Sequence, residues 1–292
     1  GHTGFVGGIN LIDDRFDQHH GWSGTPRLDY AVRLQGPVLT GVADALRAAW
    51  TRAAVGHDWP GELAALARAP RPVTEARRLL HDLRIAERRA AGGELVDPLA
   101  LPPQRAAFVV RDNVRQRRTI EHAYVEAIER ARERVDIVCP YFYPGHAFRR
   151  ALREAAEGGV RVRLLMQGVW DYRAAALAAR ALYSELLGRG VRIFEYTPAF
   201  LHAKVAVVDG DWATVGSSNI DPLSLLLNLE ANVMVRDADF TAALSREIDA
   251  AFAVAREVTM AEAGGRFDAL RRTFVAWVAR IFLRVAGATG RY

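Results

Sequence analysis

Residues 202–219 read His202-x-Lys204-x4-Asp209-x6-Gly216-Ser217-x-Asn219. An imidazole, an ammonium, a hydroxyl and an amide in so short a span suit chemistry at phosphorus. The imidazole attacks or transfers a proton near neutral pH, and the other donors surround the oxygens of a five-coordinate phosphorus without a metal. On an extended strand alternate side chains share a face, so His202 and Lys204 are expected to point the same way. Gly216 lets the backbone come close to a phosphate, and Ser217 and Asn219 supply neutral donors. Lys204 stands apart in another respect: among 39 Lys and Arg residues it is the one lysine. Base composition of the genome explains an arginine bias but not its single exception. A compact ammonium and a broad guanidinium fork are not interchangeable against an anionic oxygen.

The elements that must hold these residues follow from the periodicity. Alternating patterns predict helix 115–133, strand 135–139, helix 146–157, strand 160–166, helix 171–187 and strand 191–196. Strands 203–208, 212–216 and 230–235 and helix 238–256 follow. That alternation implies a mostly parallel sheet flanked by helices, an α/β fold. Gly158-Gly159 and Gly188-Arg189-Gly190 stand where helices end. Further helices are expected over 38–54, 60–68 and 72–90. The run Ala91-Gly92-Gly93, Asp97-Pro98 and Pro102-Pro103 marks a linker, so the domains are expected at 1–103 and 104–292.

The composition sets outer limits. The chain has 292 residues, 50% of them hydrophobic and 25% charged, which excludes disordered and fibrous classes. No run reaches the ~18 apolar residues of a spanning helix, and residues 1–20 carry no signal-peptide pattern. One cysteine, Cys139, is expected to be a buried thiol rather than a metal ligand. The net charge of +5 favours an anionic partner: phospholipid headgroups, nucleic acid or a phosphorylated metabolite. From Phe267 to Val285 apolar and aromatic positions alternate with Arg271, Arg272, Arg280 and Arg284. This amphipathic helix suits either packing on the protein's own core or lying in a membrane interface.

A weak internal repeat adds to the motif. Val215-Gly216-Ser217-Ser218-Asn219 is echoed by Val6-Gly7-Gly8-Ile9-Asn10, and Asp29 and Glu230 each lead into a strand-like run. Gly8 and Asn10 are thereby candidates to bind phosphate beside Ser217 and Asn219. Counting back by the same offset sets the counterparts of His202, Lys204 and Asp209 just before Gly1.

The run 202–219 resembles the HKD motif of the phospholipase D superfamily at every fixed position. Pro140-Tyr141-Phe142-Tyr143-Pro144, Glu195-Tyr196-Thr197-Pro198 and the stretch Gly216–Glu230 are similar to bacterial cardiolipin synthases, as are Phe5–Asn10 and Leu34–Val38. The resemblance spans nearly the whole chain and is nearest to the short type that lacks transmembrane anchors. It implies two phospholipase D-like lobes, the first truncated at its N-terminus, and a catalytic set His202, Lys204 and Asp209. Asp29 and Glu230 would orient the histidines. It also implies a two-step phosphohistidine mechanism with no cofactor or metal, His202 acting as general acid and the absent first-motif histidine as nucleophile. The expected activity is phosphatidyl transfer from phosphatidylglycerol to make cardiolipin, peripherally on the cytoplasmic side of the bacterial membrane. Tyr141, Phe142 and Tyr143 would suit the lipid interface. Nucleic acid is the less expected partner; a phosphodiesterase or nuclease is the alternative, and a catalytically dead binding module a third.

Overall fold

The computed structural model describes residues 2–9, 12–17, 21–55, 104–111, 118–169, 179–221 and 229–263. Asn10, the helices expected over 60–68 and 72–90, the Gly/Pro-rich linker and the Phe267–Val285 helix lie outside them. The chain divides into two compact units, one of Gly1–Phe5 and Arg33–Pro103, the other of Val6–Val32 and Gln104–Tyr292.

In chain order the early elements are β1 (Gly4–Gly7), β2 (Phe16–Asp17), β3 (Gly21–Trp22), β4 (Ala31–Leu34) and α1 (Leu39–Val55). β1 pairs with β4, and β2 with β3. Gly36 takes φ +80°, and its carbonyl accepts from Leu39 N–H at 3.1 Å, which turns the chain into α1.

The second unit is built on β5 (Arg105–Arg111), α2 (Thr119–Glu129), β6 (Arg134–Val138), α3 (His146–Glu157), β7 (Arg161–Gln167), α4 (Tyr183–Leu187) and β8 (Arg192–Tyr196). It continues through β9 (Val205–Val208), β10 (Trp212–Gly216), β11 (Glu230–Arg236), α5 (Ala238–Ala253), β12 (Arg256–Glu257) and α6 (Met260–Ala263). Eight of these strands form one sheet in the order β12-β8-β7-β6-β9-β10-β11-β5. The expected α/β sheet is present, but parallel pairing is confined to β6–β7 and β7–β8. The other neighbours are antiparallel. The reason is connection length. A helix-bearing crossover links each parallel pair, whereas Asp209-Gly210-Asp211 is too short for a crossover and makes β9–β10 a hairpin.

Local signals place the boundaries. Gly159 and Gly190 take φ +89° and +86° just past α3 and α4, as stop residues do. The Asp237 carboxylate caps α5 by accepting from Phe240 N–H at 2.8 Å. β9 and β10 are buried along their whole length, as central strands covered on both faces must be. On one face of the sheet Tyr124, Ile128, Phe148 and Leu152 of α2 and α3 pack on Ile137 and Leu164. Phe142 belongs to this core at 1% exposure, with its ring edge-on to Phe148, so it is not the lipid-facing aromatic the sequence suggested. On the other face the fully buried Asp136 is held by Arg134 and Arg163, and the Arg163 guanidinium lies 4.2 Å above the Phe252 ring of α5. Among the described residues no helix is long and apolar enough to cross a membrane.

Candidate active site

The site gathers at one end of β9, β10 and β11. His202 and Lys204 lie on the extended lead into β9 rather than within it. The segment before β4 runs alongside that lead. Leu28 N–H donates to the Phe200 carbonyl at 2.8 Å, and the Leu28 carbonyl accepts from His202 N–H at 2.9 Å and Ala203 N–H at 3.1 Å. This pairing delivers Asp29, 173 residues away in sequence, to the imidazole: Nδ1 lies 2.7 Å from Oδ2. The other carboxylate oxygen accepts from Tyr30 N–H at 2.8 Å. The Asp29 side chain is 5% exposed and that of His202 31%, so the carboxylate is sheltered while the ring keeps an open edge. With Nδ1 engaged by the carboxylate, Nε2 is the nitrogen left for chemistry.

Lys204 is buried, and its ammonium donates to the His202 carbonyl. Burial pushes its pKa down to about 8, against the pull of the Asp29 and Glu230 carboxylates, which favour the charged form. The only lysine in the chain is thus a desolvated cation beside two acidic residues and a histidine.

Ser217 and Glu230 form the second wall. Ser217 Oγ donates to a Glu230 carboxylate oxygen and accepts from Ala231 N–H at 3.1 Å. The Asn219 amide oxygen lies 3.9 Å from Cys139 Sγ, and Ile220 N–H reaches the same sulfur at 3.4 Å. Cys139 is the buried thiol expected, its pKa pushed up to about 12 by burial. The echo between 6–10 and 215–219 has a structural counterpart. Gly8 N–H donates to the Tyr30 carbonyl at 3.2 Å as Ser217 N–H does to the Ala231 carbonyl at 3.0 Å. A Cβ on Gly8 would stand 2.7 Å from Asp29 Oδ1. The glycine therefore makes room for the carboxylate that holds His202.

Asp209 is not in this cluster. It sits beyond the far end of β9, roughly 16 Å of strand from Lys204. There its carboxylate accepts from the N–H groups of Arg132 (3.0 Å), Glu133 (2.9 Å) and Arg134 (3.0 Å), binding the β9–β10 turn to the start of β6. It takes φ +51°, a conformation Asp tolerates better than most residues. The motif's aspartate braces the β9–β10 turn and stands apart from the reacting residues with which its motif spacing grouped it.

Two buried polar residues escaped the sequence reading. Asn232 interrupts the apolar run of β11 and is fully buried beside Gly216. Arg111 ends the apolar run of β5, fully buried and in register opposite Glu230. A polar residue inside an otherwise apolar strand was the available signal for both.

With the geometry in place, comparison with known proteins is specific. Residues 124–252 match the family described as cardiolipin synthase, PLD-like domain. Over 240 residues the chain is 39% identical to cardiolipin synthase B of Escherichia coli strain K12, covering 82% of this chain and 50% of that protein. Over 259 residues it is 32% identical to cardiolipin synthase A of Pseudomonas putida strain GB-1, covering 89% of this chain and 47% of that one. The chain thus spans about half the length of the curated relatives it matches. Among solved structures, phosphatidylserine synthase of Haemophilus influenzae Rd KW20 aligns with a TM-score of 0.55 at 12% identity, covering 91% of this chain and 64% of that one, a likeness of fold. The fixed positions of the 202–219 motif, the carboxylate-held histidine and these matches together make the chain a member of the phospholipase D superfamily, bearing a PLD-like domain of the cardiolipin synthase type.

Proposed function

We propose that this chain carries one histidine half of a phosphatidyl-transferring site, and that the intact protein makes cardiolipin from phosphatidylglycerol at the cytoplasmic face of the membrane, peripherally bound. The observation that carries this reading is the Asp29–His202 contact over the buried Lys204. A carboxylate that fixes Nδ1 prepares Nε2 to give or take a proton, and an ammonium in a desolvated pocket attracts a phosphate diester. The second histidine comes from the first motif, whose place by the repeat lies before Gly1; Glu230, the counterpart of Asp29, is the carboxylate we assign to hold it.

In the first step that histidine attacks phosphorus, and His202 Nε2–H protonates the departing glycerol oxygen as the P–O bond breaks. In the second, now neutral, His202 takes the proton from the primary hydroxyl of another phospholipid. That oxygen displaces the histidine, and the protonation states return. Lys204, Ser217 and Asn219 face the phosphoryl oxygens, with Asn10 in the equivalent place of the first motif; no cofactor takes part. We assign residues 1–103 to the first lobe and its linker and 104–292 to the second.

The test is to incubate the intact protein with phosphatidylglycerol vesicles in the presence of EDTA. Release of glycerol with formation of cardiolipin, DNA staying intact, is the expected outcome. DNA cleavage without any lipid product would assign the site to a nuclease instead.

A further inference from the structure

We propose that Asn232 is a positioning residue for phosphoryl transfer: its carboxamide, seated in the space that Gly216 leaves by having no side chain, fixes the turn Ser217–Asn219 that faces the phosphate. The proposal rests on reading Ser217 and Asn219 as donors to a phosphodiester.

Asn232 lies in register with Gly216 across β10–β11 and is fully buried. A Cβ on Gly216 would come 2.1 Å from Asn232 Oδ1 and 2.5 Å from the Ala231 carbonyl, so the carboxamide takes the space that a side chain at 216 would need and the backbone closes the rest. Asn232 Oδ1 accepts from Ser218 N–H at 3.3 Å, and Nδ2 donates to Thr214 Oγ1 at 3.1 Å. Oxygen toward Ser218 and nitrogen toward Thr214 is therefore the one orientation in which both neighbours are satisfied. Ser218 is flanked by Ser217, whose hydroxyl reaches Glu230, and by Asn219. Fixing the central N–H of this three-residue turn fixes the direction of both flanking side chains.

An apolar residue at 232 would leave the buried Ser218 N–H and Thr214 Oγ1 without this partner, so the carboxamide also adds to stability, and its role in positioning is read from kcat apart from the melting temperature. Displacement by ~1 Å costs about 10²-fold in rate at a reacting centre, so a latch on the donor turn has its effect in kcat.

The variants are Asn232→Ala, Gly216→Ala and the two combined, made in the intact protein and read by melting temperature and by kcat and KM for glycerol release from phosphatidylglycerol vesicles. Gly216→Ala is expected to lower the melting temperature. Asn232→Ala is expected to lower kcat about 10-fold to 100-fold with KM within about threefold. The double variant relieves the contact with the carboxamide but keeps the new methyl against the Ala231 carbonyl, so it is expected to melt below Asn232→Ala and to be no faster. Asn232→Asp keeps the acceptor for Ser218 N–H and should regain part of the lost rate. Where Asn232→Ala does not fold, Thr214→Val removes the group that orients the carboxamide while keeping the shape, and should lower kcat in the same way. A kcat for Asn232→Ala within twofold of the native value overturns the proposal. Native protein that releases no glycerol overturns the transferase reading instead; the same series is then run on bis(4-nitrophenyl) phosphate, where the kcat pattern decides the role of Asn232 by the same criteria.

Discussion

Lys204 carries its charge only over part of the accessible pH range. Burial lowers its pKa to about 8, so the ammonium dominates below that value and is lost as pH rises through it. Activity that needs the cation should therefore fall on the alkaline side with a midpoint near 8, read directly from a pH–rate profile; a rate still rising at pH 9 would remove Lys204 from phosphate binding. Lys204→Arg keeps the charge but not the compact shape and should reduce turnover by about 10²-fold or more without unfolding the chain. At Gly8 the constraint is space. Gly8→Ala sets a methyl 2.7 Å from Asp29 Oδ1, which must push the carboxylate off the imidazole. The expected result is a loss of the downfield shift that the carboxylate hydrogen bond gives the His202 Nδ1–H signal, with a fall in kcat. An unchanged imidazole spectrum would show that Asp29 has slack to move.

At the scale of elements, the sequence and the structure agree where periodicity is strong and part where pairing partners are chosen. Helix 146–157 and strand 212–216 lie where the pattern put them. Strand direction was not legible from alternation alone, since a helix between two strands implies parallel pairing but says nothing of β9 and β10, joined by the short turn Asp209-Gly210-Asp211. The phosphate chemistry was legible because fixed spacing fixed the residues. Asp29 was legible only as a strand-end acid in a repeat, because no local pattern encodes a contact 173 residues long. Asp209 misled because its motif spacing is that of a turn brace. Removing its side chain leaves three backbone N–H groups of the α2–β6 connection without that acceptor. Asp209→Ala should cost about 1–3 kcal/mol in urea unfolding, with kcat at low temperature within about tenfold of native. Collapse of kcat with stability intact would return Asp209 to the reacting group.

For the whole molecule, the half-site reading has a direct readout. If His202 is the general acid, the 292-residue chain alone holds no nucleophilic histidine of the pair. Intact-mass analysis after exposure to an activated phosphodiester should then show no adduct. A stoichiometric adduct that disappears in His202→Ala would reverse the two histidines' roles while leaving the family assignment in place. The reach of Asp29 across the sequence bears on how such a site comes to exist during synthesis. A ribosome must deliver more than 170 residues after Asp29 before His202 emerges, and the loop this contact closes is among the long-range ones that cost most chain entropy to form. Asp29 therefore stands without its imidazole in every nascent chain that stops short of His202, and the oriented histidine forms only after the chain through residue 202 has been made.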